Sequence, residues 1–244
     1  MNIAEKQIAE RVIPLDMSGN ESMSKKSAKV DSLSFRLHTS LSTEARRVHS
    51  FIAQKYYSAH KASLTDFLPQ LLEMHNGNIT YGCVGIKPGD FGKFYLEQYI
   101  DKPIECAVAE HKRQPICRSS IAEIGNFAVT KSGLSPILIA MVAKTLHLAG
   151  FKWMVFTATA EVEKLIHGLG CKTFILADAR PEKLEHDAES WGDYYKSKPT
   201  VLICDLSESI ENAKNRQHLS TLFQKLSKSI HQISQSIKFN TSLM

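Results

Sequence analysis

The sequence predicts an α/β fold, a mixed sheet flanked by helices, and three observations support this. From Ile121 onward strand patterns alternate with helix patterns, which indicates locally parallel strands. The apolar run Pro136 to Ala143 is too short to span a bilayer and is typical of a buried helix. The run Lys152 to Thr157 is almost wholly apolar, as in a strand that is buried on both faces.

Two helices are predicted ahead of the alternating region. The first follows Ser42, its expected N-cap, and its face contains Val48, Phe51, Ile52, Lys55 and Tyr56. The second is expected after Ser63, where Asp66 completes a capping box and an apolar face follows: Phe67, Leu68, Leu71 and Leu72.

The remaining elements follow from strand alternation, helical spacing and turn residues. Three further helices are predicted: Ile104–Glu110, Pro136–Leu148 and Glu161–Leu169. Ser135 is the expected N-cap of the second, and Pro136 is its first residue. The predicted strands are Ile79–Ile86, Phe94–Ile100, Ile121–Val129, Lys152–Thr157, Thr173–Leu176 and Thr200–Leu206.

Composition divides the chain into three parts. Residues 1–32 are predicted to form an N-terminal extension with a short helix, Ala4–Val12, and a polar linker, Met17–Lys29. Residues 33–207 form the α/β domain. Residues 208–244 form an amphipathic helical tail with an apolar face of Leu219, Leu222, Phe223, Leu226, Ile230, Ile233 and Ile237. This tail can dock on its own domain, pair with a second chain as a homodimer, or lie on a membrane. Docking or pairing is favoured because its polar face has more Ser and Gln than Lys.

The composition narrows the possible partners and compartment. The net charge of +5 is mild, and no basic patch with interleaved aromatic residues indicates nucleic acid. The five cysteines show no CxxC spacing and the ten histidines no metal-ligand spacing, so neither a disulfide framework nor a metal is expected. The charged N-terminus lacks the apolar core of a signal peptide, and a cytoplasmic protein is expected.

The segment from Asp66 to Tyr195 resembles a bacterial family, the thermostable haemolysins. The matching stretches, in chain order, are Phe67-Leu68-Pro69, Phe94–Asp101 with Pro103-Ile104-Glu105, Glu123–Ala128, Phe156–Thr159, Gly168-Leu169-Gly170 and Trp191–Tyr195. The resemblance implies an acyltransferase fold of the GNAT type, close to the acyl-homoserine lactone synthases. The strand motif Glu-Ser-Arg-Phe-Ala-Val of those synthases is similar to Glu123–Val129 here.

The resemblance also implies a donor site. In this fold the strand that contains Glu123 splays from its neighbour and receives the thioester of acyl-CoA or acyl carrier protein. The following turn and helix N-terminus would bind the pyrophosphate, because exposed N–H groups and the helix dipole favour an anion. The corresponding residues are Ala128, Val129, Lys131, Ser132, Gly133, Leu134 and Ser135. This turn has one glycine where active relatives have more, and Pro136 removes one N–H.

Glu97 and Glu123 are the candidate general bases, since amine acylation requires a group that accepts a proton. Each lies in a largely apolar run, where burial would raise the carboxyl pKa toward neutrality. The alternative for each is a salt-bridged or solvent-facing carboxylate. Asn126 is expected to stabilise an acyl carbonyl or oxyanion, or alternatively to satisfy backbone groups at a strand bulge.

Aromatic residues are the remaining candidates. Tyr99, Trp191 and Tyr194 are expected to line a substrate pocket, and Tyr195 or Tyr194 to protonate the leaving thiolate, as the resemblance implies. Asp101 would bind a cationic acceptor or cap a helix. Packing in the core is the alternative role for the aromatic residues.

The sequence therefore favours an acyltransferase that transfers an acyl group from acyl-CoA or acyl carrier protein to the amine of a small molecule. A narrower version takes S-adenosylmethionine as acceptor, although the N-terminal arginine and tryptophan pattern of the lactone synthases is not evident before Asp66. The alternatives are an effector that acts on membranes through its tail, and a degenerate fold that binds an acyl ligand without turnover.

Overall fold

The computed structural model describes residues 33–184 and 188–242, and these contain a seven-stranded sheet. The strands are β1 (Ser34–Thr39), β2 (Gln70–Asn76), β3 (Ile79–Pro88), β4 (Ile121–Val129), β5 (Trp153–Ala158), β6 (Thr173–Asp178) and β7 (Thr200–Asp205). Their order across the sheet is β1-β2-β3-β4-β5-β7-β6. Every neighbouring pair is antiparallel except β4 and β5, which are parallel. The predicted mixed sheet is confirmed.

Seven α-helices occur among the described residues. They are α1 (Ala45–His60), α2 (Ile104–Lys112), α3 (Ser135–Ala149), α4 (Ala160–Gly168), α5 (Leu206–Lys214), α6 (Gln217–Lys225) and α7 (Ser227–Ser242). Two predicted caps are wrong. Helix α1 begins after Glu44 rather than Ser42, and α3 begins after Leu134, with Ser135 as its first residue.

Two further predictions are wrong. The segment Lys61–Pro69, expected to begin a second helix, is irregular and leads into β2. Because β2 is buried on both faces, its adjacent leucines, Leu71 and Leu72, resemble a helix pattern in the sequence. Phe94–Ile100, expected as a strand, instead contains a 3₁₀ turn, Tyr95–Tyr99. Strand β1 was not predicted.

The strand register places the helices on two faces of the sheet. Helix α1 packs with Cys83 and Ala128, and α2 packs with Trp153 and Val155, on what is here called the front face. Helix α3 lies on the back face. A Cβ built on Gly82 would lie 3.1 Å from Leu138 of this helix.

The C-terminal tail consists of three helices rather than one. Helix α7 packs against α3 and β1, and α5 and α6 also contact α3. Ile230, Ile233 and Ile237 of α7 are at most 5% exposed, so the apolar face docks on the chain's own domain. The predicted extension, residues 1–32, lies outside the described residues, and the boundary at Ser207 stays a prediction. No helix in the described part of the chain is long and apolar enough to cross a membrane.

A buried carboxylate joins β1, β2, β3 and α1. Glu73 of β2 is fully buried and bonds to His38 (2.8 Å), Arg47 (2.7 Å) and Thr80 (2.6 Å). Burial raises the pKa of Glu73, but these hydrogen bonds and the Arg47 charge outweigh it and lower the pKa from 4.5 to about 2. Ionised Glu73 therefore stabilises the packing of α1 on the sheet.

Replacing Glu73→Gln is expected to lower the free energy of unfolding at pH 7 by roughly 1–3 kcal/mol, because buried hydrogen-bonding groups lose a charged partner. The pKa of Glu73 is lower in the folded chain than in the unfolded chain. The stabilisation that ionised Glu73 supplies is therefore complete above pH about 4.5 and is lost as the pH falls toward about 2. Urea denaturation at pH 7, 5 and 3 tests this. The difference between wild type and variant should shrink at pH 3, and a constant difference would contradict the assignment. Glu110→Gln, which removes an exposed pair with Lys102, is the control and should change little.

Candidate active site

Strands β4 and β5 separate in the middle of the sheet. Their parallel pairing runs from Ile121 opposite Trp153 to Ile124 opposite Phe156 and then ends. Beyond this point β4 continues to pair with β3, while Thr157 and Ala158 of β5 pair with β7. Residues 124–127 are partly exposed, as expected where a strand has lost one neighbour. The splayed strand expected from the resemblance is therefore present.

A bulge lies in β4 at this opening. Gly125 pairs with Gly85 and Ala128 with Cys83, so Asn126 and Phe127 together oppose the single residue Val84. Asn126 has a φ of +50°, a left-handed conformation that asparagine tolerates better than most residues.

The Asn126 side chain holds the Lys61–Pro69 segment. Its Oδ1 accepts the Leu68 N–H at 2.8 Å, and its Nδ2 donates to the Asp66 carbonyl at 3.4 Å. The amide thus satisfies backbone groups at a bulge, which was the alternative to the predicted oxyanion role. The close packing of Leu68 on the strands also explains why Gly85 and Gly125 lack a side chain. A Cβ on Gly85 would lie 2.9 Å from Leu68 Cβ, and one on Gly125 would lie 3.2 Å from Leu68 Cδ1.

Glu123 lies on the front face beside the splay and is 4% exposed. Its Oε1 accepts the Leu96 N–H at 2.9 Å and its Oε2 the Tyr95 N–H at 3.0 Å. Burial raises the pKa of Glu123 from 4.5 to about 7, although the two N–H groups oppose this effect. The pKa of Glu123 is therefore raised toward neutrality, as expected from burial, and its role as a general base stays a prediction.

Glu97 has a different environment. It bonds to Arg118 through both oxygens at 2.8 Å and also accepts the N–H groups of Phe94 (2.6 Å) and Ile104 (2.8 Å). Despite burial, which raises it, the pKa of Glu97 is lowered by Arg118 and these donors. The raised pKa expected for Glu97 is therefore wrong. Its carboxylate is the salt-bridged alternative and anchors the Tyr95–Tyr99 turn.

Tyrosine and tryptophan side chains cluster around the Tyr95–Tyr99 turn, whose Tyr95 and Leu96 N–H groups bond to Glu123. The hydroxyl oxygens of Tyr99 and Tyr195 are 2.6 Å apart, and Trp191 Nε1 donates to the Tyr95 hydroxyl at 2.8 Å. The Trp191 ring centroid lies 5.1 Å from that of Tyr194 and 6.1 Å from that of Tyr56. Burial raises the pKa of Tyr99, Tyr194 and Tyr195, so these hydroxyl groups stay protonated near neutral pH.

The Trp191–Tyr195 segment is fastened to the end of α1. The Asp193 N–H donates to the His60 carbonyl, and the Ser63 N–H to the Ser190 carbonyl, each at 2.6 Å. Gly192 has a φ of +52°, and a Cβ there would lie 2.4 Å from the His60 carbonyl oxygen. Only glycine fits this position without displacing the backbone.

The turn after β4 lies at the N-terminus of α3, as predicted. Lys131 and Gly133 are exposed, but Ser135 is only 6% exposed and the Leu134 N–H donates to the Lys131 carbonyl. Upstream of the turn, Ala128 packs among α1 residues, and Val129 points toward Leu138 on the back face. Any contribution of these two residues to a donor would be through the backbone.

The structure brings Tyr99, Trp191, Tyr194 and Tyr195 together, bonds Glu123 to the backbone of the Tyr95–Tyr99 turn, and leaves Asp101 at the surface. Asp101 pairs with Lys183 at 2.9 Å, and this lysine lowers the pKa of Asp101. The prediction did not include Tyr56 or Tyr95, which complete the aromatic cluster. The repeated aromatic residues in Phe94–Tyr99 were a signal for it. No cluster of metal-ligating side chains occurs in residues 33–184 and 188–242.

The splayed strands, the β4 bulge and the helix that follows define a GNAT-like fold. Solved structures share it at low sequence identity. The acyl-homoserine lactone synthase LasI is 14% identical, with 71% of this chain and 90% of that chain covered and a TM-score of 0.50. The CoA-dependent synthase BjaI with SAM and isopentyl-CoA is 11% identical, with 80% and 90% covered and a TM-score of 0.50. FeeM, an N-acyl amino acid synthase from uncultured soil microbes, is 12% identical, with 76% and 98% covered and a TM-score of 0.50.

The family is established separately from the fold. The model of the family described as thermostable hemolysin matches residues 38–210, and this chain belongs to that family. No curated protein matches the chain.

The raised pKa of Glu123 predicts a specific pH dependence of stability. Folded Glu123 holds its proton up to pH about 7 and the unfolded chain only to about 4.5, so wild-type stability falls as the pH rises through this window. Glu123→Gln removes this titration, and its stability relative to wild type should rise between pH 5 and pH 8. Chemical denaturation at both values measures the change, and ¹³C NMR titration of the Glu123 carboxyl group checks it directly. A midpoint near 4.5 would refute the assignment.

Substitutions at Asn126 should separate the effect of its side-chain hydrogen bonds from the effect of its left-handed backbone conformation. Asn126→Gly keeps the positive φ but loses the bonds to the Lys61–Pro69 segment, whereas Asn126→Ala loses the bonds and adds backbone strain of roughly 1 kcal/mol. Thermal unfolding should therefore give the order wild type, Gly, Ala from most to least stable. If Ala were as stable as Gly, the left-handed conformation would carry no cost.

Proposed function

We propose that this protein is an acyltransferase that transfers an acyl group from acyl-CoA or acyl carrier protein to the amine of a small molecule. The observation that carries the proposal is the opening between β4 and β5, with the buried carboxyl group of Glu123 beside it. An extended thioester arm can occupy the place where a neighbouring strand would otherwise pair with β4.

The donor would enter along β4, and the turn Lys131–Ser135 would receive its phosphates. The N-terminus of α3, a fifteen-residue helix, supplies a favourable dipole, and exposed Lys131 adds a positive charge. A Cβ on Gly133 would meet no atom within 4 Å, so the backbone there is open to a ligand.

The acceptor would lie on the front face, between Glu123 and the aromatic cluster. The amine nitrogen attacks the thioester carbonyl carbon, forming a C–N bond, and Glu123 accepts the proton that the nitrogen loses, directly or through one water. Each Glu123 oxygen accepts one N–H bond in the structure, and a carboxylate can accept further bonds. Tyr99, Trp191 and Tyr194 would form the wall against which the acceptor packs.

Collapse of the tetrahedral intermediate breaks the C–S bond. Tyr195 is proposed to give its proton to the departing thiolate, because its raised pKa keeps it protonated and its hydroxyl contacts that of Tyr99. The Asn126 amide would act indirectly, by holding the Lys61–Pro69 segment over the strand.

The described tail residues do not favour the alternative of membrane action. Leu219, Leu226, Ile230 and Ile237 are at most 5% exposed, so their surfaces are already covered by the domain. S-adenosylmethionine is one amine to test as the acceptor, because the structure of the synthase BjaI, which has the same fold, contains SAM.

Calorimetric titration of the purified protein with acetyl-CoA and longer acyl-CoAs tests the donor site. We expect binding that weakens several-fold in Lys131→Ala and Gly133→Ala, while Lys228→Ala, which removes an exposed charge on α7, binds as wild type. Equal weakening by Lys228→Ala would indicate a general charge effect rather than a site.

Activity is tested by thiol release from acyl-CoA or acyl carrier protein with a panel of amines. Glu123→Gln should lose at least 100-fold in kcat/KM, in line with a lost general base, and should retain acyl-CoA binding. If no thioester binds or turns over, the acyltransferase proposal is wrong.

A further inference from the structure

Two cysteines that are distant in the chain, Cys171 and Cys204, lie side by side as free thiols. Cys204 is in β7, directly opposite Thr173 of β6, and Cys171 comes just before β6, after the turn that ends α4. The two thiols hydrogen-bond to each other and to the Ser209 hydroxyl group, whose Oγ lies 3.2 Å from Cys204 Sγ. This contact gives the two sulfur atoms the proximity from which a disulfide can form.

The turn that leads into Cys171 is held against α5 and the residue that links α5 to α6. Asn212 Nδ2 of α5 donates to the Gly170 carbonyl at 3.3 Å, and Arg216 donates to the Gly168 carbonyl. Gly170 has a φ of +85°, and a Cβ there would lie 3.0 Å from Arg216 Nε. The guanidinium group therefore lies against the backbone immediately before Cys171.

The surroundings make the two thiols unequal. The hydrogen bond from Cys204 lowers the pKa of Cys171, and Ser209 and the Arg216 charge also lower it, against the effect of burial. The bond to Cys171 and burial raise the pKa of Cys204. Cys171 is 8% exposed, whereas Cys204 is fully buried. Cys171 is therefore the thiol suited to meet an oxidant, because a reactive cysteine needs thiolate character and some access.

We propose that Cys171 and Cys204 are a redox-active pair that hydrogen peroxide converts into a reversible disulfide. The Cys171 thiolate attacks one peroxide oxygen, which breaks the O–O bond and forms a sulfenic acid and, after protonation, one water. The Cys204 sulfur then attacks the Cys171 sulfur, and the sulfenic oxygen leaves with the Cys204 proton as a second water. Two electrons pass from the thiols to the peroxide. This inference does not depend on the acyltransferase function proposed above.

The test exposes the purified protein to hydrogen peroxide, blocks the remaining thiols and maps the peptides by mass spectrometry. Wild type should give Cys171 linked to Cys204, and dithiothreitol should restore both thiols. Cys204→Ser should stop at the sulfenic acid of Cys171, which dimedone traps, and Cys171→Ser should leave Cys204 reduced. Arg216→Gln should slow disulfide formation several-fold at pH 7, because a smaller fraction of Cys171 is ionised.

The double variant Cys106→Ser/Cys117→Ser is the matched control. It removes the two exposed cysteines, and it should form the Cys171–Cys204 bond at the wild-type rate. If peroxide oxidises the exposed cysteines of wild type while Cys171 and Cys204 both stay reduced, the inference is wrong. Dimedone labelling of Cys204 in Cys171→Ser, at the rate seen for Cys171 in Cys204→Ser, would also overturn it.

The melting temperature gives a second test. The bond would close a loop that contains β6 and the Trp191–Tyr195 segment. A closed loop restricts the unfolded chain, so oxidised wild type should melt roughly 5–10 °C above the reduced protein. Cys171→Ser should melt at the same temperature with and without peroxide. A lower melting temperature for fully cross-linked wild type would mean that the folded chain does not accommodate the bond, and the inference would be wrong.

Discussion

The end of the β4–β5 pairing at Ile124 and Phe156 is the constraint on which the rest of the site depends. A strand in the middle of a sheet normally has partners on both sides, and the second half of β4 has one. The bulge at Asn126 accompanies this loss, and the same side chain fastens the Lys61–Pro69 segment over the front face. The opening and the segment that covers it thus both follow from one local departure from regular pairing.

Three buried glutamates show how surroundings determine the ionisation of one residue type. Glu73 and Glu97 each have an arginine partner, and their pKa values are lowered in spite of burial. Glu123 receives only two backbone N–H bonds from nearby donors, and burial outweighs them. Glu73 and Glu97 therefore stabilise the fold as ionised carboxylates. Glu123, which lies beside the opening, is the one suited to proton transfer.

The two faces of the sheet carry different chemistry. The front face has Glu123 and the aromatic cluster, which is assembled from the Tyr95–Tyr99 turn, α1 and the Trp191–Tyr195 segment. The back face is apolar under α3 and α7, apart from a few buried polar groups such as those of Gln70 and Thr145. In the proposed reaction the acceptor would lie on the front face.

The sequence by itself determined the fold class, because alternating strand and helix patterns from Ile121 to Leu206 reflect regular local geometry. It also determined the family, through short matches such as Glu123–Ala128 and Trp191–Tyr195. Only the tertiary structure decided which carboxylate is paired, since Arg118 lies 21 positions from Glu97 in the chain and meets it through folding alone. The structure also decided that Phe94–Ile100 is a turn, that β2 is a strand, and that the tail docks on α3. Contacts between distant segments override local propensity in each of these cases.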